Sequence, residues 1–205
     1  MKSRYIEQRE LAALTAAAGK TRQSRKAALP LLVALETGLR VGDVVKIRKS
    51  DITPDGIVYV AQKTGKPGIA QISPGTRKRL VDNIVETGEN WVFPSPTKKG
   101  EHITRQAVWA RVKRLAAAAG IDARGVSPHS MRKNFAVATY QRSGFAAAQA
   151  ALQHTHADTT ELYALSDFVS GDNARRPLTR GDLDMIAKIV KDMIMSEIRN
   201  KDVPA

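Results

Sequence analysis

Apolar positions fall at three- and four-residue intervals through most of this chain, and one stretch breaks the rhythm. The spacing predicts an opening helix over about Glu7 to Ala18. A long apolar helix follows Ser24, which reads as its N-cap, and runs through Leu29, Leu32, Val33 and Leu35. Pro30 falls inside that pattern and is expected to kink the helix or to mark its first turn. Gly38 supplies a stop, and a short helix restarts at Val41 and continues to about Arg48. From Gly56 the period changes to two: Ile57, Tyr59 and Ala61 alternate with Val58, Val60 and Gln62. With Ile69 and Ile72 beyond a turn near Thr64–Pro67, this predicts a small antiparallel sheet. Helical spacing resumes after Pro74, over about 75–86, 104–118, 128–142, 144–152 and 159–163. Trp91-Val92-Phe93, ahead of Pro94 and Pro96, reads as a short strand or a buried anchor. The expected fold class is mainly α with a small three-stranded antiparallel sheet at one edge, an α+β domain.

A separate pattern occupies the end of the chain. Leu183, Ile186, Ile189, Val190, Met193 and Ile194 form one apolar face, opened by Asp182 as N-cap or first-turn acid. Such a stripe packs either on its own domain or on a neighbouring copy, reached through the Ser170-Gly171-Asp172-Asn173 linker. The expected division is a body over residues 1–165 and a linker plus amphipathic helix over 166–205.

Charge sharpens that division. Residues 1–50 carry 11 basic and 4 acidic side chains, and residues 51–165 carry 15 and 9. Residues 166–205 carry 7 of each, so the whole net charge of +13 lies in the body. A basic surface can simply be solubilising, but its confinement to the body favours a face for a polyanion, with nucleic acid the default. The chain has no cysteine, which removes disulfides, thiolate nucleophiles and sulfur-ligated zinc, and suits a reducing cytoplasmic setting. No run reaches the length of a membrane span, so no membrane partner is expected.

Four local features could carry chemistry. In Thr37-Gly38-Leu39-Arg40-Val41-Gly42-Asp43, a glycine turn delivers Arg40 to the mouth of the next helix, and Asp43 is spaced to hold its guanidinium. Lys63-Thr64-Gly65-Lys66 puts lysines on the hairpin turn, where one over DNA can give a proton to a leaving oxygen. His129-Ser130-Met131-Arg132, opened by Pro128, brings an imidazole and a guanidinium to one face at the positive end of a helix, where phosphate is favoured. Finally, His154 and His156 precede Tyr163 in Thr159-Thr160-Glu161-Leu162-Tyr163. Each alone has an ordinary structural reading: a surface ion pair, solvated turn lysines, a chance His-x-x-Arg, a half-buried tyrosine.

Taken in the order Arg…Lys…His-x-x-Arg…His…Tyr over roughly residues 23–165, the set resembles the tyrosine recombinase (phage integrase) family and its catalytic domain. The resemblance implies that Arg40 and Arg132 clamp phosphate, with Lys63 as the lysine of the sheet turn. It also implies that His129 and His154 are the two family histidines, that Tyr163 is the nucleophile, and that Asp43 buttresses Arg40. His156 is then a bystander. Lys66 rivals Lys63, and order within the turn favours Lys63. The family usually has glycine before the later histidine, where this chain has Gln153. Many members carry a helical DNA-binding domain ahead of the catalytic one. The 22 residues here cannot supply it, so the resemblance implies an excised catalytic domain or a short invertase-like member.

The implied reaction is DNA strand cleavage and rejoining through a 3′-phosphotyrosyl link, for integration, excision or inversion. Arginine forks neutralise the non-bridging oxygens. His129 assists proton movement from tyrosine, His154 binds a phosphate oxygen, and Lys63 serves as general acid for the 5′ oxygen. The link keeps the phosphodiester's energy, so neither ATP, metal nor other cofactor is expected. Implied partners are double-stranded DNA and further copies of the chain, as a tetramer on DNA, with accessory DNA-bending proteins. A bacterial, phage or mobile-element origin goes with that reading. Two alternatives compete: a type IB topoisomerase-like enzyme working as a monomer, and a non-catalytic basic DNA-binding or architectural protein.

Overall fold

A computed structural model describes residues 3–152 of the protein, and its element order follows from local caps and stops. Helix α1 spans Gln8–Gly19, and α2 spans Arg22–Thr37. Thr21, not Ser24, is the N-cap of α2. The Thr21 hydroxyl accepts from the Ser24 amide at 3.0 Å, and Ser24 returns the bond to the Thr21 amide at 2.9 Å. Ser24 therefore completes a capping box from the third helical position, an arrangement worth roughly 1 kcal/mol. Pro30 lies buried inside a helix that runs on past it, so it marks neither the first turn nor the end.

Helix α2 stops at Gly38, whose φ of +66° a side chain adopts only with strain. A Cβ there would lie 2.3 Å from Cδ1 of Phe135, so glycine is required for space as well. Helix α3 covers only Val41–Val44, shorter than the spacing predicts. A turn and a 3-10 segment, Lys49–Asp51, lead into the sheet.

That sheet has three antiparallel strands in the order β1 (Ile52–Thr53), β2 (Gly56–Val60) and β3 (Pro67–Ala70). Ile57 faces Ala70 and both are buried, while Val58 and Ile69 face each other on the exposed side. The period-two reading of this segment thus identifies its two faces. Between β2 and β3 the turn is closed by the Ala61 amide on the Lys66 carbonyl at 2.9 Å and the Gly65 amide on the Ala61 carbonyl at 2.8 Å.

Helices α4 (Pro74–Thr87), α5 (Arg105–Ala118) and α6 (Pro128–Ala151) complete the described residues. The two helices expected over 128–142 and 144–152 are one. Gly144 sits within it, since an interior glycine weakens a helix by only about 1 kcal/mol and need not end it. Val92 and Phe93 are buried, and Trp91 pairs by a single bridge with Arg48, whose guanidinium lies 4.6 Å from the indole centre. The segment is an anchor more than a strand.

The chain divides into two compact units between Phe135 and Ala136. In the first, α2 packs against α1 and α5, and Leu14, Val33, Val108, Val112 and Leu115 are buried in their common core. The N-terminal arm fastens to the start of α6 within the same unit. Asn134 donates to the Ile6 carbonyl at 2.7 Å and accepts from the Ile6 amide at 3.1 Å. Both polar ends of a buried amide are thereby satisfied, and the helix carrying His129 and Arg132 is held in place. No helix among the described residues is long and apolar enough to cross a membrane.

Candidate active site

Four separated segments of the first unit converge on one cavity of about 400 Å3, lined by Arg40, Asp43, Gln62, Lys63, Arg105, His129 and Arg132 among others. Arg40 is the N-cap of α3 and half-buried, with extended backbone angles of −65° and 142°. Its carbonyl accepts from the amides of Asp43 at 2.8 Å and Val44 at 2.9 Å, which fixes the exit from the Gly38 turn. Lys63 sits exposed on the turn between β2 and β3. It lines the cavity and Lys66 does not.

His129 and Arg132 lie three apart in the first turns of α6, so both meet the cavity from one helical face. Arg132 is only 3% exposed, and its Nη1 donates to the backbone carbonyl of Gly38. A planar guanidinium held by one arm has a set orientation for its other donors. The contact also ties α6 to the glycine two residues before Arg40.

Asp43 departs from its expected role. Its Oδ1 accepts from the Gln62 amide at 3.0 Å, and among the described residues it makes no ion pair with Arg40. Spacing of three brings positions 40 and 43 close but does not choose the partner, and Gln62, just past β2, offers the carboxylate a backbone donor. Gln62 adds a second tie, Nε2 donating to the Gly42 carbonyl at 2.6 Å. The buried carboxylate therefore fastens the turn that bears Lys63 to the helix that begins at Arg40.

Electrostatics link the same groups to a residue outside the expected set. Burial raises the Tyr59 phenol above its ordinary value; Arg132 opposes that rise, Asp43 adds to it and Arg40 opposes it. Tyr59 on β2 thus feels both arginines and the carboxylate.

Sequence reasoning missed Gln62 and Arg105. Gln62 carries no local signal beyond its place at the end of a strand. Arg105 does carry one: it is a cation in the first turn of α5, where the helix dipole favours acids, and that turn holds none. His154, His156 and Tyr163 lie outside the described residues, as does the expected tail helix over 182–194. A second cavity of the first unit, about 450 Å3, is lined by leucines of α1, α2 and α5 together with charged residues such as Arg22, Lys26, Asp82 and Glu86, and it holds none of these groups.

Comparison with known proteins shows the family and the fold. Tyrosine recombinase XerD of Yersinia pestis is 31% identical over 147 residues, covering 67% of this chain and 48% of that protein. The corresponding protein of Vibrio vulnificus is 34% identical over 148 residues, 67% of this chain and 47% of its own. The chain thus spans about half the length of the curated relatives it matches. Among solved structures, XerH site-specific recombinase bound to palindromic difH substrate, a post-cleavage complex, aligns with a TM-score of 0.68. It is 19% identical over 82% of this chain and 51% of its own. The lambda integrase catalytic core aligns at 0.60, 21% identical, covering 77% of this chain and 94% of that one. These structural likenesses carry the fold: a mainly helical domain with a small antiparallel sheet. The pattern of the phage integrase family matches residues 4–169, and the chain belongs to that family.

Proposed function

We propose that this protein is a site-specific DNA recombinase that cuts and rejoins strands through a 3′-phosphotyrosyl intermediate. The observation that carries the reading is the convergence of Arg40, Lys63, His129 and Arg132 on one cavity from segments as far as 92 residues apart in sequence. Two guanidiniums can take up the non-bridging oxygens of a phosphodiester as charge builds on them, typically the largest catalytic contribution. Lys63, on a turn over the same cavity, is the group to protonate the departing 5′ oxygen, and His129 assists proton movement at the attacking phenol. Tyr163 supplies that phenol and His154 a further phosphate contact. The attack forms the tyrosyl O–P bond and breaks the P–O5′ bond; the reverse step restores the strand.

Asp43 acts by holding Gln62 and hence the lysine turn. A tetramer on double-stranded DNA, with the tail helix reaching a neighbouring copy and DNA-bending proteins assisting, is the assembly this reading favours. Action in the cytoplasm, with a bacterial, phage or mobile-element origin, is part of this reading.

The test is a suicide duplex library nicked at varied positions. Wild type is expected to form a covalent protein–DNA adduct, and Tyr163→Phe to form none while still binding DNA. An adduct that persists in Tyr163→Phe would refute the nucleophile. A wild type that binds DNA but never forms an adduct across the library would favour the architectural alternative.

A further inference from the structure

Beyond the groups assigned above, Arg105 lines the same cavity from a fourth segment, the start of α5. Its side chain is exposed and makes no hydrogen bond or ion pair among the described residues. Its position is nonetheless defined. A Cβ built on Gly42 would lie 3.6 Å from Arg105 Cδ and 3.7 Å from Gln62 Oε1, so the arginine stem and the glutamine amide lie over the backbone of α3 beside Arg40. Thr104 caps the helix by accepting from the Ala107 amide at 3.1 Å, so the fold of α5 makes no use of the Arg105 charge. That charge even opposes the helix dipole. A cation that brings no benefit to its own helix, held at the rim of a cavity already rich in phosphate-binding groups, has its use in the ligand.

We infer that Arg105 is a DNA phosphate contact at the mouth of the cavity, engaging a backbone phosphate other than the one held by Arg40 and Arg132. The inference rests on the recombinase reading. A phosphate contact releases a counterion on binding, whatever the base sequence, whereas a base contact discriminates between sequences.

The experiment measures anisotropy of labelled duplexes of unrelated sequence with the full chain over a salt series, for wild type, Arg105→Gln and Arg105→Lys. Position 105 is exposed, and matched thermal melts by circular dichroism establish that the variants are folded. Arg105→Gln is expected to reduce the steepness of log K against log salt by about 0.9 on every duplex, and Arg105→Lys to retain the wild-type slope. A wild-type slope in Arg105→Gln overturns the inference. So does a loss confined to one duplex, or an equal loss in Arg105→Lys. In those cases a steep wild-type slope leaves the recombinase reading standing. A salt-insensitive wild type would overturn both.

Discussion

Arg132 donates to the backbone carbonyl of Gly38, and so the second arginine of the site is fastened to the turn that presents the first. Neither residue is near the other in sequence. The bond links the two elements that carry the arginines proposed to bind phosphate, and electrostatic catalysis of the proposed kind requires donors that do not reorganise during the reaction.

Gly38→Ala tests that frame. The change forces φ of +66° on a side chain and drives its Cβ to 2.3 Å from the Phe135 ring. A loss of roughly 2 to 5 kcal/mol is expected from strain and overpacking together. Gly65→Ala is the control. It has the same φ with no atom within 4 Å of the new Cβ, so only the backbone cost of about 1 kcal/mol remains. Urea melts of the two variants should separate clearly; equal midpoints would contradict the packing argument.

The two arginines should fail differently. Arg40 is half-buried and its removal leaves no buried partner orphaned, so Arg40→Ala should slow adduct formation by about 10²- to 10³-fold with stability unchanged. Arg132→Ala should lose a similar factor and also about 1 to 3 kcal/mol of stability, because the Gly38 carbonyl loses its donor. Single-turnover cleavage alongside denaturant titration distinguishes the two cases.

Asp43 and Lys63 can be separated from the arginines by the leaving group. A duplex with sulfur in place of the bridging 5′ oxygen releases a thiolate, which needs no proton. Lys63→Ala is expected to slow ordinary cleavage by about 10²-fold or more and to recover on the sulfur substrate. Asp43→Ala should show the same pattern in weaker form, since the carboxylate acts through Gln62. Arg40→Ala should not recover. Were Asp43→Ala to behave like Arg40→Ala, the carboxylate would be serving the arginine after all.

Acid should release the N-terminal arm. Glu10 accepts from Arg4 at 2.7 Å through both oxygens, and this hydrogen-bonded pairing holds its carboxyl below the ordinary value. Arg4 also donates to the Arg124 and Asp122 carbonyls at 3.1 Å, just ahead of α6. The unfolded chain therefore takes up a proton at Glu10 at a higher pH than the folded one. The contribution is complete above the unfolded value of about 4.3 and disappears as pH falls through the lower folded value. Urea midpoints of wild type and Glu10→Gln should differ at neutral pH and converge in acid. A gap that persists unchanged at low pH would count against the linkage.

Local patterns alone determined a good deal here. The period-two run at Ile57–Val60, the helix stop at Gly38, the start of α6 at Pro128 and the confinement of charge to the body are all properties of neighbouring residues. The residue types of the candidate site and their order along the chain are also visible there, because a phosphate site needs particular donors whatever the fold. Tertiary structure decided the rest. Asp43 accepts from Gln62 because the fold brings the end of β2 beside α3, and α6 runs through Gly144 where spacing alone suggested a break. Arg105 enters the cavity only because α5 crosses beside α3, a meeting of segments some 60 residues apart. Spacing along a chain reports which side chains share an element; which elements share a cavity is set by how the core packs, and no local pattern encodes that.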